Sequence, residues 1–324
     1  MQMNNTNVKL AKSSGFCSGV KNAVEQVFEI SNTLKAQGIH QTAVLGNLIH
    51  NKLVLSRLDQ QNIKTINCAN EIIESGIKNV FIRTHGESAA TLKKLQEAGL
   101  TIYDLTCPYV KKIHEMVRAA SQANKIVIVI GDKQHPETIG IIGQIEKTPS
   151  FVATTLADLP DIEKQINNLH RKTGQEAQIF VVSQTTFSKA DFKKISANLK
   201  KVAKTVEIFN TICYTTSVRQ NEALEISKNS DVIFVLGDTL SSNTIKLYEI
   251  CKAHCKNTYL IENTKHLADV LENFKLDGTN LNGVHSTTNR KNTSAKLKIG
   301  VVASASTPQS LIDSVLKHLQ GKTV

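Results

Sequence analysis

One layout occurs three times along this chain, and it constrains the fold more than any other feature. A short strand leads to a cysteine, then to a stretch of helical periodicity, then to an apolar strand ending in polar residues. The first copy reads "VKLAKSSGFCSGVKNAVEQVFEI" and then "TAVLGNLIH". The second reads "LTIYDLTCPYVKKIHEMVRAASQ" and then "KIVIVIGDKQHPE", and the third "TVEIFNTICYTTSVRQNEALEIS" and then "DVIFVLGDTLSSN". Each copy continues into another helical stretch and another strand with a polar end. These strands are "NVFIRTHGES" with His85, "QIFVVSQTTFS" with Thr185 and "KIGVVASASTPQS" with Ser306. From cysteine to first polar tip the separation is 33 residues for Cys17 to His50, 28 for Cys107 to His135 and 28 for Cys213 to Ser241. This is an internal repeat of layout more than of letters.

Alternating strands and helices predict an α/β protein with parallel sheets. Right-handed crossovers put the polar strand ends of one unit at one sheet edge, where ligands of open parallel sheets bind. The expected fold is three similar α/β units with small parallel sheets, arranged pseudo-threefold so that three cysteines and several polar tips face one central point. The units are expected at residues 1–106, with the N-terminal strand able to join the third unit, at 107–205 and at 206–324. Within the last, "LDGTNLNGVHSTTNRKNTSAK", about residues 276–296, lacks an apolar period and reads as a long surface loop.

Charge bears on partners. Lysine and arginine number 39 against 28 acidic residues, a net charge of +11. That suits nucleic acid, a phosphorylated metabolite or an acidic electron carrier. Nucleic acid fits least, because the lysines are scattered and aromatics at 5% leave few stacking platforms. The longest apolar runs are strand-length, short of the roughly 18–20 residues that span a bilayer, so no membrane partner is expected. The start "MQMNNTNVKLAK" lacks the apolar core of a signal peptide, so a cytoplasmic location with reduced thiols is expected.

The chain has six cysteines. Cys17, Cys107 and Cys213 each follow a strand and precede a helix, a position that lowers a thiol's pKa and favours the metal-binding thiolate. Gly15 and Gly19 free the backbone beside Cys17 for close approach to a bulky group. Pro108 suits the first position of a helix and holds Cys107 extended before it. A lone cysteine after a strand is usually a small core residue. Three in equivalent places of a repeat point instead to a shared metal. Thiolates select zinc, copper(I) or iron–sulfur clusters, and the paired knuckles of zinc fingers are absent. Three thiolates from distant units suit a compact central iron–sulfur site. On a four-iron cluster they leave one iron open for a substrate oxygen. Cys251 and Cys255 lie four apart on one helical face with His254 adjacent, and read as a packed or exposed helix face rather than as a metal site.

The polar tips add an anion site. His50, His85 and His135 sit at or just past strand ends, where imidazoles suit phosphate. Ser241, Ser242, Asn243 and Ser306 supply hydroxyls and an amide, supplemented by backbone N–H groups of the following helices. Glu137, two residues past His135, is suited to proton delivery if enclosed, since burial disfavours its charged form. The plainer alternative is a helix-start glutamate balancing the dipole. Thr185 is placed to hydrogen-bond such a carboxyl group.

These pieces together resemble the 4-hydroxy-3-methylbut-2-enyl diphosphate reductase family, also called the LytB family. The matching segments are "GFCSGV", "NLIHN", "THGES", "TCPYVKKIH", "GDKQHPE", "SQTT", "CYTTSVRQ", "SSN" and "ASASTP", in family order from about residue 13 to residue 310. The resemblance implies reductive removal of the allylic hydroxyl of a small diphosphate, giving isopentenyl and dimethylallyl diphosphates, the last step of the non-mevalonate isoprenoid pathway. It implies one 4Fe–4S cluster per chain on Cys17, Cys107 and Cys213, and electrons from a ferredoxin or flavodoxin-type donor. Glu137 is implied as proton source with Thr185 and His135 beside it. His50, His85, Ser241, Ser242, Asn243 and Ser306 are implied on the diphosphate, and Thr216 near the hydroxymethyl end. Thr84 stands where the family usually has alanine, "DLTCP" replaces "DATCP" and "ASAS" replaces "AGAS"; none of these removes an implied ligand.

Two other functions compete. A non-redox nucleic-acid-binding protein would be colourless and bind DNA or RNA in a salt-dependent way. A three-cysteine zinc hydrolase would be colourless, stable in air and restored by zinc.

Overall fold

The computed structural model describes residues 6–174, 176–276 and 297–320. The expected loop at about 276–296 lies outside them, apart from its first residue. In chain order the first elements are β1 (Thr6–Leu10), α1 (Ser18–Ala36), β2 (Thr42–Leu45), α2 (Lys52–Gln60), β3 (Ile63–Ile66), α3 (Ala69–Glu74), β4 (Asn79–Ile82), α4 (Ala89–Glu97) and β5 (Thr101–Asp104). Next come α5 (Pro108–Gln122), β6 (Ile126–Ile130), α6 (Pro136–Ile142), β7 (Ser150–Ala153), α7 (Leu159–Thr173), β8 (Gln178–Ser183), α8 (Lys189–Leu199) and β9 (Thr205–Ile208). The last are α9 (Tyr214–Lys228), β10 (Val232–Leu236), α10 (Ser242–His254), β11 (Thr258–Ile261), α11 (Thr264–Leu276), β12 (Leu297–Ala303) and α12 (Gln309–Leu319).

The strands form three four-stranded sheets, all parallel, in the orders β3-β2-β4-β5, β7-β6-β8-β9 and β11-β10-β12-β1. The orders are the same once the repeat is aligned. The strand before each of Cys107 and Cys213 completes the sheet that precedes that cysteine. β1, which leads towards Cys17, takes the corresponding place beside β12. β9 runs across the expected 205/206 boundary and pairs with β8. The chain separates into two compact units. One comprises Met1–Cys17, His50–Lys52 and Tyr214–Val324, and the other Ser18–Ile49 and Leu53–Cys213.

The central strands β6 and β10 are apolar throughout because both of their faces are covered. In β6 the residues Ile126, Ile128 and Ile130 pack with Ile162 and Ile166 of α7 and Ile195 of α8. The alternate residues Val127 and Val129 pack with Ile113 and Val117 of α5. In β10, Val232, Phe234 and Leu236 face Leu267 of α11 and Ile312 of α12, while Ile233 and Val235 face Ala223 of α9 and Cys251 of α10. The helices supply matching stripes: α5 buries Val110, Ile113, His114, Val117, Ala120 and Ser121, a three-and-four spacing. Among the described residues no helix is long and apolar enough to cross a membrane.

Candidate functional site

The larger unit carries Cys107, Cys213, His85, His135, Glu137 and Thr185. Cys107 is the N-cap of α5, with Pro108 opening the helix. Its amide donates to the Thr84 carbonyl at 3.0 Å. The turn before it is fixed by Asp104, which accepts from the Thr106 amide at 3.0 Å and meets the Lys111 ammonium at 2.7 Å. A Cβ on Gly19 would lie 2.7 Å from the Cys107 sulfur. The glycine expected to open space beside Cys17 therefore clears space for a different cysteine of the set. Gly15, at φ +95°, packs instead against Gln309 and Ile312.

Cys213 precedes α9, and its amide donates to the Thr185 carbonyl at 3.0 Å. Thr185 also donates from its amide to Glu137 Oε1 at 2.6 Å and from its hydroxyl to Glu137 Oε2 at 2.7 Å. One residue after β8 thus fixes both a cysteine and a carboxyl group. Glu137 is 2% exposed. Burial pushes its carboxyl up to about 7, against the opposing pull of the Thr185 amide and hydroxyl. The helix-start alternative describes where Glu137 sits but not this enclosure.

His135 caps α6: its Nδ1 accepts from the Glu137 amide at 3.1 Å, so in the neutral ring the proton resides on Nε2. Its ring meets that of His85 edge-on, with centroids 5.2 Å apart. His85 is followed by Gly86 at φ +74°, where a Cβ would fall 2.6 Å from His114 Cε1. Only glycine permits that turn. His114 itself is lowered to about 4 by burial and then by Arg118, with Asp104 opposing. It is a neutral packing group beneath the His85 turn.

The smaller unit carries Cys17, His50, Thr216, Ser241, Ser242, Asn243 and Ser306. The Cys17 amide donates to the Ala305 carbonyl at 3.3 Å. The buried Arg219 guanidinium donates to Gly15 O at 2.8 Å and Ala303 O at 3.1 Å, tying the loop before Cys17 to the end of β12. Thr216 is buried in the first turn of α9. Ser241 caps α10 and accepts from the Ser306 hydroxyl at 3.4 Å. Ser306 lies 3.2 Å from Ser304, which lies 3.0 Å from Thr307. Asn243 is 4% exposed, and neither polar atom of its side chain has a hydrogen-bond partner. A buried amide without partners costs about 1–3 kcal/mol unless a ligand satisfies it.

Arg219, Ser304 and Thr307 were not anticipated as parts of this site. "CYTTSVRQ" and "ASASTP" did flag their neighbourhoods, but a contact between residues 84 positions apart leaves no local pattern.

Cys17, Cys107 and Cys213 are partly exposed, and Cys251 and Cys255 are buried. Burial and then Cys255 raise the Cys251 thiol to about 12, which makes it a poor thiolate donor. In the larger unit Cys107 and Cys213 are partly exposed and stand before helix starts, with Gly19 leaving room at the Cys107 sulfur, and in the smaller unit Cys17 is partly exposed before α1; thiolates are donors that soft metals prefer.

A family model described as "LytB protein" matches residues 8–320. The 4-hydroxy-3-methylbut-2-enyl diphosphate reductase of Clostridium perfringens strain 13 is 35% identical over 315 residues, covering 97% of this chain and 98% of that protein. The protein of the same name from Campylobacter lari is 35% identical, covering 98% of each. The solved structure of (E)-4-hydroxy-3-methyl-but-2-enyl diphosphate reductase, the terminal enzyme of the non-mevalonate pathway, is 29% identical with a TM-score of 0.62, covering 98% of this chain and 99% of that one.

Proposed function

The chain belongs to the LytB protein family, and from that premise we infer that it reductively dehydroxylates 4-hydroxy-3-methylbut-2-enyl diphosphate. The products are isopentenyl and dimethylallyl diphosphates, and the reaction is the last step of the non-mevalonate isoprenoid pathway. It consumes two electrons and two protons and releases the allylic hydroxyl as water.

The enzyme is an iron–sulfur protein by family. Our reading assigns one 4Fe–4S cluster to Cys17, Cys107 and Cys213. When bound, that cluster supplies single electrons and one iron without a protein thiolate, available to the substrate's hydroxyl end. The observation that carries the reading is the Glu137–Thr185 pair. A buried carboxyl group raised to about 7 holds a proton near neutral pH, and Thr185, which grips both of its oxygens, also holds the Cys213 amide. A leaving hydroxyl needs a proton, and Glu137 is the group suited to give it. Thr185 orients the acid, while the His135 ring accepts from its amide. His50, His85, Ser241, Ser242, Asn243 and Ser306 bind the diphosphate. Thr216 lies toward the hydroxymethyl end. The electrons come one at a time from a ferredoxin or flavodoxin-type donor, whose acidic surface suits a chain of net charge +11.

The test is turnover under anaerobic conditions with a reduced donor. Oxidation of the donor should require the allylic diphosphate and should yield the two five-carbon diphosphates. Hydrolysis of the diphosphate, or donor oxidation indifferent to it, would refute this assignment.

A further inference from the structure

Between β10 and α10 the chain turns through Gly237, Asp238, Thr239 and Leu240 before reaching Ser241. Asp238 is only 4% exposed, and both of its oxygens are engaged. Oδ1 accepts from the Leu240 amide at 2.9 Å, and Oδ2 accepts from the Lys52 amide at 3.3 Å. The Asp238 carbonyl also accepts from the Ser241 amide at 3.0 Å. Glu262, just beyond β11, repeats the arrangement. Its Oε1 accepts from the Thr239 amide at 3.1 Å and the Thr239 hydroxyl at 2.8 Å, and its Oε2 accepts from the Lys52 ammonium at 3.1 Å. Burial pushes the Glu262 carboxyl up, but the Thr239 donors and Lys52 outweigh it and leave it below its ordinary value.

Lys52 is therefore held at both ends, its amide by one carboxylate and its ammonium by another. Both carboxylates also hold the 239–240 turn. Two residues before Lys52 stands His50, and one residue after Leu240 begins the Ser241–Asn243 triplet with its unsatisfied amide.

We propose that Asp238 and Glu262 are positioning residues for the diphosphate, fastening the His50–Lys52 segment to the Ser241–Asn243 turn so that imidazole, hydroxyl and amide present one preformed anion grip. This rests on the assignment of His50 and Asn243 to the diphosphate. Neither acid touches the ligand in this account. A carboxylate near a dianion is electrostatically unfavourable, so the two remain because of the geometry they impose. That sets the sign of the test. If charge alone mattered, removing Asp238 would tighten anion binding; if positioning matters, removing it loosens binding.

The experiment uses reconstituted holoenzyme, with inorganic diphosphate as competitive probe and the allylic substrate for kinetics. Asp238→Ala is expected to raise KM and the inhibition constant for diphosphate by roughly ten- to hundredfold, the usual consequence of losing a charge-assisted hydrogen bond. The cluster absorbance and the pH dependence governed by Glu137 should stay unchanged. Asp238→Asn keeps one acceptor oxygen and should fall between. Lys52 opens α2, where proline is tolerated. Lys52→Pro removes the amide donor and the ammonium together, and Lys52→Met removes only the ammonium, so proline should weaken binding more than methionine. This pair serves if the Asp238 variants fail to fold.

Tighter diphosphate binding by Asp238→Ala, or unchanged binding alongside a weakened Asn243→Ala, would overturn the proposal while leaving the diphosphate assignment standing. Unchanged binding in Asn243→Ala and His50→Ala as well would overturn both.

Discussion

Glu137→Gln is expected to cut turnover by roughly a hundred- to ten-thousandfold, the range that a positioned general acid contributes, while iron content and diphosphate affinity stay close to the parent's. Glutamine keeps the shape and accepts the Thr185 amide through its oxygen, and the Thr185 hydroxyl can turn to accept from the new NH₂. The pH dependence follows from the same group. Its carboxyl is raised from 4.5 to about 7 by burial. kcat/KM should therefore fall as pH rises through about 7, and this limb should vanish in the variant.

Stability changes with pH in the same direction as activity. An unfolded chain releases the Glu137 proton near 4.5 and the folded one near 7. Native protein binds more protons across that window, so the Glu137 contribution to stability falls as pH rises through it. Above it the lost stability is about 3 kcal/mol, at about 1.4 kcal/mol per pKa unit. Glu137→Gln should recover much of that at pH 8 and little at pH 4. Chemical denaturation of the two proteins at both pH values measures it. Near-parent turnover in the variant would remove Glu137 from the proton path.

Gly19→Ala should disable the protein through a different route. The new Cβ would fall 2.7 Å from the Cys107 sulfur and 3.5 Å from its Cβ. Cys107 has little room to retreat, since its amide is bound to Thr84 and Pro108 follows it into α5. α1 has little room either, since Ala23, Val24, Val27, Phe28, Ser31 and Leu34 are buried along it. Overpacking of this kind costs roughly 1–3 kcal/mol, and here the group displaced is a proposed metal ligand. The expected result is iron content well below the parent's after identical reconstitution, with activity falling in proportion. Adding Gly19→Ala to Cys107→Ser should cost little more, because both act on the same sulfur. Parent-level iron in Gly19→Ala would mean that the Cys107 sulfur is not where the metal is held.

The repeat was legible because buried parallel strands are continuous apolar runs, as in "IVIVI" of β6 and "VIFVL" of β10. The edge strands β3, β7 and β11 were not, although the opposite edges β1, β5 and β9 were read before their cysteines. β3 with sequence "IKTI" has only Ile63 fully buried, so each unit showed three strands in its pattern where each sheet has four. The cysteines were legible from their place before helices and the acid from its neighbours. What fixes them was legible only in part: Thr185 was read as a partner for the Glu137 carboxyl group, whereas its hold on the Cys213 amide, Arg219 on Gly15 and Asp238 on Lys52 are contacts between residues far apart in sequence. A single chain carries no periodic trace of such pairs. The second role of Gly19 was hidden for the same reason, since its motif surrounds Cys17 while its Cβ position faces Cys107.

The central claim is a cluster held by three of the six cysteines, and iron and sulfide content after anaerobic reconstitution tests it most directly. The wild-type chain should be brown and hold four irons and four sulfides, and Cys251→Ser and Cys255→Ser should match it. Cys17→Ser, Cys107→Ser and Cys213→Ser should each lose most of that content. A colourless wild-type protein that takes up zinc but no iron, or full iron retained in any of the last three variants, would contradict the account.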